Sequence, residues 1–139
     1  MALVQQAVGL MTKKLPKMIS PRTHAIIDYA MLGTFILMGA LFWKKNKKAS
    51  IAAFSCAAAE ATTVLLTGFP GGVTDVISFE THGRIDCTIA GATAALPNTL
   101  GFSDEPEARF FRIQGLALGA VTGMTEFTPE QRKPEHEAA

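Results

Sequence analysis

The sequence predicts an all-α integral membrane fold, four transmembrane helices arranged as two pseudosymmetric helical hairpins. Three observations lead there. Charge is almost missing from four stretches, Ala25–Trp43 (one Asp), Ala49–Phe69 (one Glu), Cys87–Phe102 (none) and Ile113–Thr125 (none). A ten-residue string is written twice, 58 residues apart. No alternating polar–apolar run of useful length predicts a strand. The 139 residues make one domain, and their 18% charged residues fall below the usual ~25%. A net charge of +1 excludes a bulk basic field for nucleic acid, and two cysteines exclude a disulfide scaffold.

The repeated string is Ile19-Ser20-Pro21-Arg22-Thr23-His24-Ala25-Ile26-Ile27-Asp28, matched by Ile77-Ser78-Phe79-Glu80-Thr81-His82-Gly83-Arg84-Ile85-Asp86. The shared pattern is I-S-x-x-T-H-x-x-I-D. Without a gap, the same offset carries Gly33 onto Gly91, Ala59 onto Ala117, Thr67 onto Thr125 and Phe69 onto Phe127. Six matches in ten, with later matches in register, speak for duplication. Such a duplication survives either for packing alone or for a retained site.

In chain order, residues 1–17 read as an interfacial segment, with Val4, Ala7, Val8 and Met11 ahead of Lys13, Lys14 and Lys17. The first hairpin covers 18–70. Ser20 caps its first helix and Pro21 takes N1, where a missing N–H costs nothing. That helix runs to about Trp43, and Lys44–Lys48 is a polar turn. The second helix runs from about Ala49 to Phe69 and stops at Pro70-Gly71-Gly72. The second hairpin covers 76–128. Ser78 caps its first helix, Glu80 complements the dipole, and Pro97 is expected to kink it before Gly101. Ser103–Pro106 is a turn, and the last helix spans about Glu107–Phe127. Residues 129–139 form a polar tail. Helices of 20 or so residues span a hydrocarbon core of about 30 Å. Gly115, Gly119 and Gly123 form a GxxxGxxxG row that lets helices approach closely. Basic residues divide almost evenly between the two ends, so the positive-inside rule leaves orientation open. Cys56 and Cys87 differ in depth by about 13 Å and are expected to be free thiols.

His24 and His82 fall in the first turns of equivalent helices, with Asp28 and Asp86 one turn deeper on the same face. A pseudo-twofold axis along the membrane normal places both copies at one depth. An acid this deep in an apolar helix needs a partner. In a structural reading, each histidine (His24, His82) or its aspartate (Asp28, Asp86) caps and tethers neighbouring helices, or Asp28 pairs with Arg84 across the repeats. In a metal reading, His24, Asp28, His82 and Asp86 converge on zinc or iron. In a pigment reading, His24 and His82 ligate a haem or a chlorophyll-type macrocycle. Glu60, mid-helix opposite Leu118 of the other copy, is either a bonded structural acid or part of a proton route.

The string Ser20–Tyr29 resembles the opening of the small bacterial membrane proteins called SPW-repeat proteins, with an H-x-x-x-D-Y start to each of two helical hairpins. The likeness covers about residues 18–128. His-x3-Asp matches twice and Tyr29 once, Cys87 replacing it in the second copy. Leu96–Phe102 is similar to that family's P-W-x-x-G-F segment, with Asn98 in the place of tryptophan. The resemblance implies location in a membrane, expected to be the bacterial inner membrane, and brings no activity.

The sequence therefore predicts a non-enzymatic accessory or scaffolding subunit that packs against lipid and against other membrane subunits or itself. A redox or metal protein built on the paired His/Asp motifs is the alternative. A small transporter or proton-path component using Glu60 is a further one.

Overall fold

In a computed structural model of the chain, the described residues are 15–127, with Ala2 and Gln6 ahead of them. Apart from Ala2 and Gln6, the interfacial segment expected within 1–17 lies outside them up to residue 14, as does the polar tail. The fold is all-α, with helices α1 (Pro21–Phe42), α2 (Lys47–Leu66), α3 (Phe79–Thr99) and α4 (Ala108–Met124).

The helix starts follow local capping chemistry. The Ser20 and Ser78 hydroxyls accept the Thr23 and Thr81 N–H groups at 3.2 and 3.1 Å. Asn46 caps α2 by accepting the Ala49 N–H at 3.0 Å, so α2 begins at Lys47, two residues before its expected start. Two helix ends come earlier than expected, for one shared reason. Thr67 leaves α2 in an extended conformation and forms a parallel bridge with Ile77. Thr125 leaves α4 in the same way and bridges Ile19. In each case the backbone trades a further helical turn for a long-range hydrogen bond. Pro97 sits in the last turn of α3, which ends at Thr99, and Gly101 turns the chain at φ +70.

Sequential helices pack most extensively, α1 on α2 and α3 on α4, with smaller α2–α3 and α1–α4 contacts. The end of the bundle near the 43–46 turn is closed by an apolar cluster that includes Phe35, Phe42, Ala53, Phe102 and Phe111. A smaller cluster of Met31, Ala90 and Leu118 lies nearer the middle. On α4 the close approach falls at Gly115. A Cβ there would meet the Ala90 carbonyl oxygen at 2.7 Å and the Ala94 Cβ at 2.8 Å. At Gly119 the nearest contact would be an ordinary 3.9 Å.

Buried ionisable groups and exposed apolar side chains occur together. His24, Asp28, Glu60, His82 and Asp86 are all fully buried, while Ile26, Leu37, Leu41, Ile51, Ile113 and Leu116 are more than half exposed. Of the two, the buried ionisable groups are the informative observation, because such groups are rarely buried unless partnered. α1, with 22 residues, and α2, with 20, are long and apolar enough to cross a membrane. α3 falls short in composition because Glu80, Arg84 and Asp86 lie along it. α4 has 17 residues and carries Arg109 and Arg112.

Candidate metal centre

His24 and Asp28 project from the first two turns of α1, and His82 and Asp86 from the same turns of α3. The i, i+4 spacing puts each pair on one helix face. Between α1 and α3 the four side chains converge with no exposure to solvent. His24 Nε2 lies 3.3 Å from Asp28 Oδ2 and 3.1 Å from Asp86 Oδ2. His82 Nε2 lies at the same two distances, 3.3 and 3.1 Å, from the same oxygens. Each residue offers one ligand atom, and all four atoms fall within 4.8 Å of one another.

The outer nitrogens fix the rings. His24 Nδ1 is 2.7 Å from Thr125 Oγ1, and His82 Nδ1 is 2.8 Å from Thr67 Oγ1. Each threonine hydroxyl spends its single proton on a backbone carbonyl one turn back, Val121 for Thr125 and Thr63 for Thr67. Both hydroxyls therefore accept, and both histidines donate from Nδ1. A neutral ring held in this tautomer turns the Nε2 lone pair toward the carboxylates. Lone pairs facing lone pairs at 3.1–3.3 Å repel unless positive charge lies among them. One of the four nitrogen–oxygen pairs is directed otherwise. Only His24 Nε2 and Asp86 Oδ2 are aligned as a hydrogen bond. Asp28 Oδ1, Asp28 Oδ2, Asp86 Oδ1 and His82 Nε2 have no aligned partner among the described residues. Buried polar atoms are rarely left so.

The spacing suits a metal ion. Four ligands about 2.0–2.1 Å from a tetrahedral ion lie about 3.3 Å from one another. The four nitrogen–oxygen distances, 3.1–3.3 Å, lie near that edge length, and the whole donor set spans up to 4.8 Å. A histidine ligand also characteristically donates its other nitrogen to a fixed acceptor, the part the two threonines fill.

Phenylalanines close the outer side. Phe69 is 5.1 Å from the His82 ring, Phe127 is 5.4 Å from the His24 ring, and Phe79 lies between them. Gly83 leaves room for Phe127, since a Cβ there would meet that ring at 2.7 Å.

The structure thus brings His24, Asp28, His82 and Asp86 together, as both the metal reading and a His/Asp tether between the helices require. It does not join Arg84 to Asp28. Arg84 is exposed and pairs with Glu80 one turn back at 2.7 Å, because its side chain leaves α3 on the outer face. Nor does the geometry admit a haem or chlorophyll-type macrocycle between the histidines. Their ring centroids are 5.3 Å apart, edge to face, with both Nε2 atoms on carboxylates. Glu60 is buried nearby on α2, and neither of its oxygens has a partner among the described residues. Cys56 and Cys87 are free thiols. The roles of Thr67 and Thr125 are not evident from the sequence, though both sit at one 58-residue offset, which is the signal that marks them. Comparison with protein families, curated proteins and solved structures returned no match.

Proposed function

We propose that the protein is a metal-binding integral membrane protein. Four transmembrane helices form two hairpins related by a pseudo-twofold axis along the membrane normal. One divalent first-row transition-metal ion sits on that axis, held by His24, Asp28, His82 and Asp86. The observation that carries the reading is the buried convergence of two threonine-locked Nε2 atoms and two carboxylate oxygens, with nitrogen–oxygen distances of 3.1–3.3 Å. Two neutral imidazoles and two carboxylates carry a charge of −2, which a divalent ion cancels. That neutrality matters where the surroundings are apolar. The ion would join α1 to α3 and so hold the halves together. The two helices of membrane-spanning length and apolarity, the exposed apolar side chains and the SPW-repeat resemblance support the membrane location.

An accessory role among other membrane subunits concerns the outside of the same molecule. The exposed apolar residues of α1, α2 and α4 support it, and it is compatible with an internal ion. A transport path through Glu60 has less support. Beyond Cys56 and Thr93 the interior is filled by Phe35, Phe42 and Phe111.

The test is metal analysis of detergent-purified protein, followed by chelator stripping and titration with Zn2+ and Co2+. One ion per chain is expected, with the intense visible bands of tetrahedral Co2+. His24→Ala and His82→Ala should each abolish the signal while the helices persist. Wild-type protein that takes up neither ion would leave a purely ionic tether of imidazolium and carboxylate and end the metal reading.

A further inference from the structure

The polar partners of the centre occur twice at the 58-residue offset. His24 answers His82, Asp28 answers Asp86, and Thr125 answers Thr67. The bridge Ile19–Thr125 answers Ile77–Thr67. Glu60 breaks the pattern. Its counterpart is Leu118, and the two are 0% and 1% exposed. Leu118 packs on Met31 and Ala90, so an apolar side chain satisfies the position on that side. On the other side stands a carboxylate with two unpartnered oxygens.

Glu60 also belongs to the centre electrostatically. The charged groups that act on it are Asp86, Asp28 and His82. Glu60, Thr63 and Thr67 share one face of α2, the face that reaches His82. Burying a third carboxylate beside two others is opposed by both desolvation and repulsion. A cation of sufficient charge in the centre reverses the sign of the second effect. The symmetric ligands already cancel a charge of +2, and Glu60 adds one negative charge on one side only.

Building on the metal reading above, we infer that Glu60 adapts the centre to an ion that alternates between +2 and +3, a redox ion of the iron class. Nitrogen–carboxylate ligand sets suit iron. In the oxidising step the ion passes one electron to an external one-electron acceptor, and no bond forms or breaks. With Glu60 ionised, the three carboxylates balance the +3 state and stabilise it over the +2 state.

The test uses full-length protein in detergent, stripped of metal, with Glu60→Gln and Glu60→Leu beside wild type. Leucine is what the other copy carries, and removing an unpartnered buried acid should leave thermal stability equal or higher. Zn2+ and redox-inert Ga3+, supplied as its nitrilotriacetate complex, report the two charge states. Both substitutions should weaken Ga3+ about tenfold more than they weaken Zn2+. In iron-loaded protein titrated against ferricyanide, that ratio raises the midpoint potential by about 59 mV. Equal weakening of the two ions, or no weakening of either, with an unmoved potential, would overturn the role of Glu60 and leave the metal centre standing. Wild-type protein that binds neither Zn2+ nor Ga3+ would overturn both.

Discussion

Replacing Gly115 and Gly119 separately with alanine tests how closely α3 and α4 approach. The two glycines lie one turn apart on α4, and the same substitution should move stability in opposite directions. At Gly115 the new Cβ would lie 2.7 Å from the Ala90 carbonyl oxygen, 2.8 Å from the Ala94 Cβ and 2.9 Å from the Ala94 nitrogen. These are backbone atoms and a side-chain stub, and none can swing aside. The helices must separate by roughly an ångström, and overpacking of this kind costs about 1–3 kcal/mol. At Gly119 the new Cβ would find Ala90 at 3.9 Å, an ordinary contact. There alanine restricts the unfolded chain and favours helix, worth up to about 1 kcal/mol. Thermal unfolding of both variants in one detergent, followed by circular dichroism, reads the difference. Gly115→Ala should also lower Zn2+ affinity, because α3 carries Asp86 and the chain leaving α4 carries Thr125, so prising the helices apart spreads the donor set. Gly115→Ala as stable as Gly119→Ala would refute the close approach.

Thr67→Val and Thr125→Val each remove the acceptor of a buried Nδ1–H, and should cost about 1–3 kcal/mol and weaken Zn2+ about 10-fold or more. Similar losses from the two, measured by competition with a zinc chelator, are expected from their matching contacts. Gly83→Ala pushes on the Phe127 ring, which can swing away. Faster Zn2+ uptake in stopped flow is the expected result, and an unchanged rate would show that the aromatic cover does not control entry. Arg84→Ala removes an exposed ion pair and should change stability by no more than about 0.5 kcal/mol and Zn2+ binding not at all. The chain should stay in the membrane pellet after carbonate washing and require detergent for release; recovery as a stable, water-soluble monomer would contradict the four-span reading.

Much of the helical layout can be read locally. Ser20, Ser78 and Asn46 each offer a side-chain oxygen to the N–H three residues on, so the helix starts are written within a few residues. The ends of α2 and α4 are not. Thr67 and Thr125 leave their helices to pair with Ile77 and Ile19, and such pairing depends on where other helices lie. The centre is legible because His-x3-Asp fixes a helix face and the repeat fixes a common depth. Its supporting threonines are not, since a threonine in an apolar helix reads equally as packing. Arg84 shows the opposite error. A cation in the repeated string seems the natural partner for a buried acid, yet Glu80, one turn away, captures it at the surface.

Each histidine finds its threonine in the other half of the chain, so neither half contains a finished set of contacts. Either helix pair alone would need a second molecule of itself to assemble this centre, and any change would appear on both sides at once. Carrying both sets of contacts in one chain lifts that constraint. The halves still complete each other, but one position can now acquire an acid while its twin keeps a leucine. A single chain thus permits an asymmetry that no dimer of identical chains can encode.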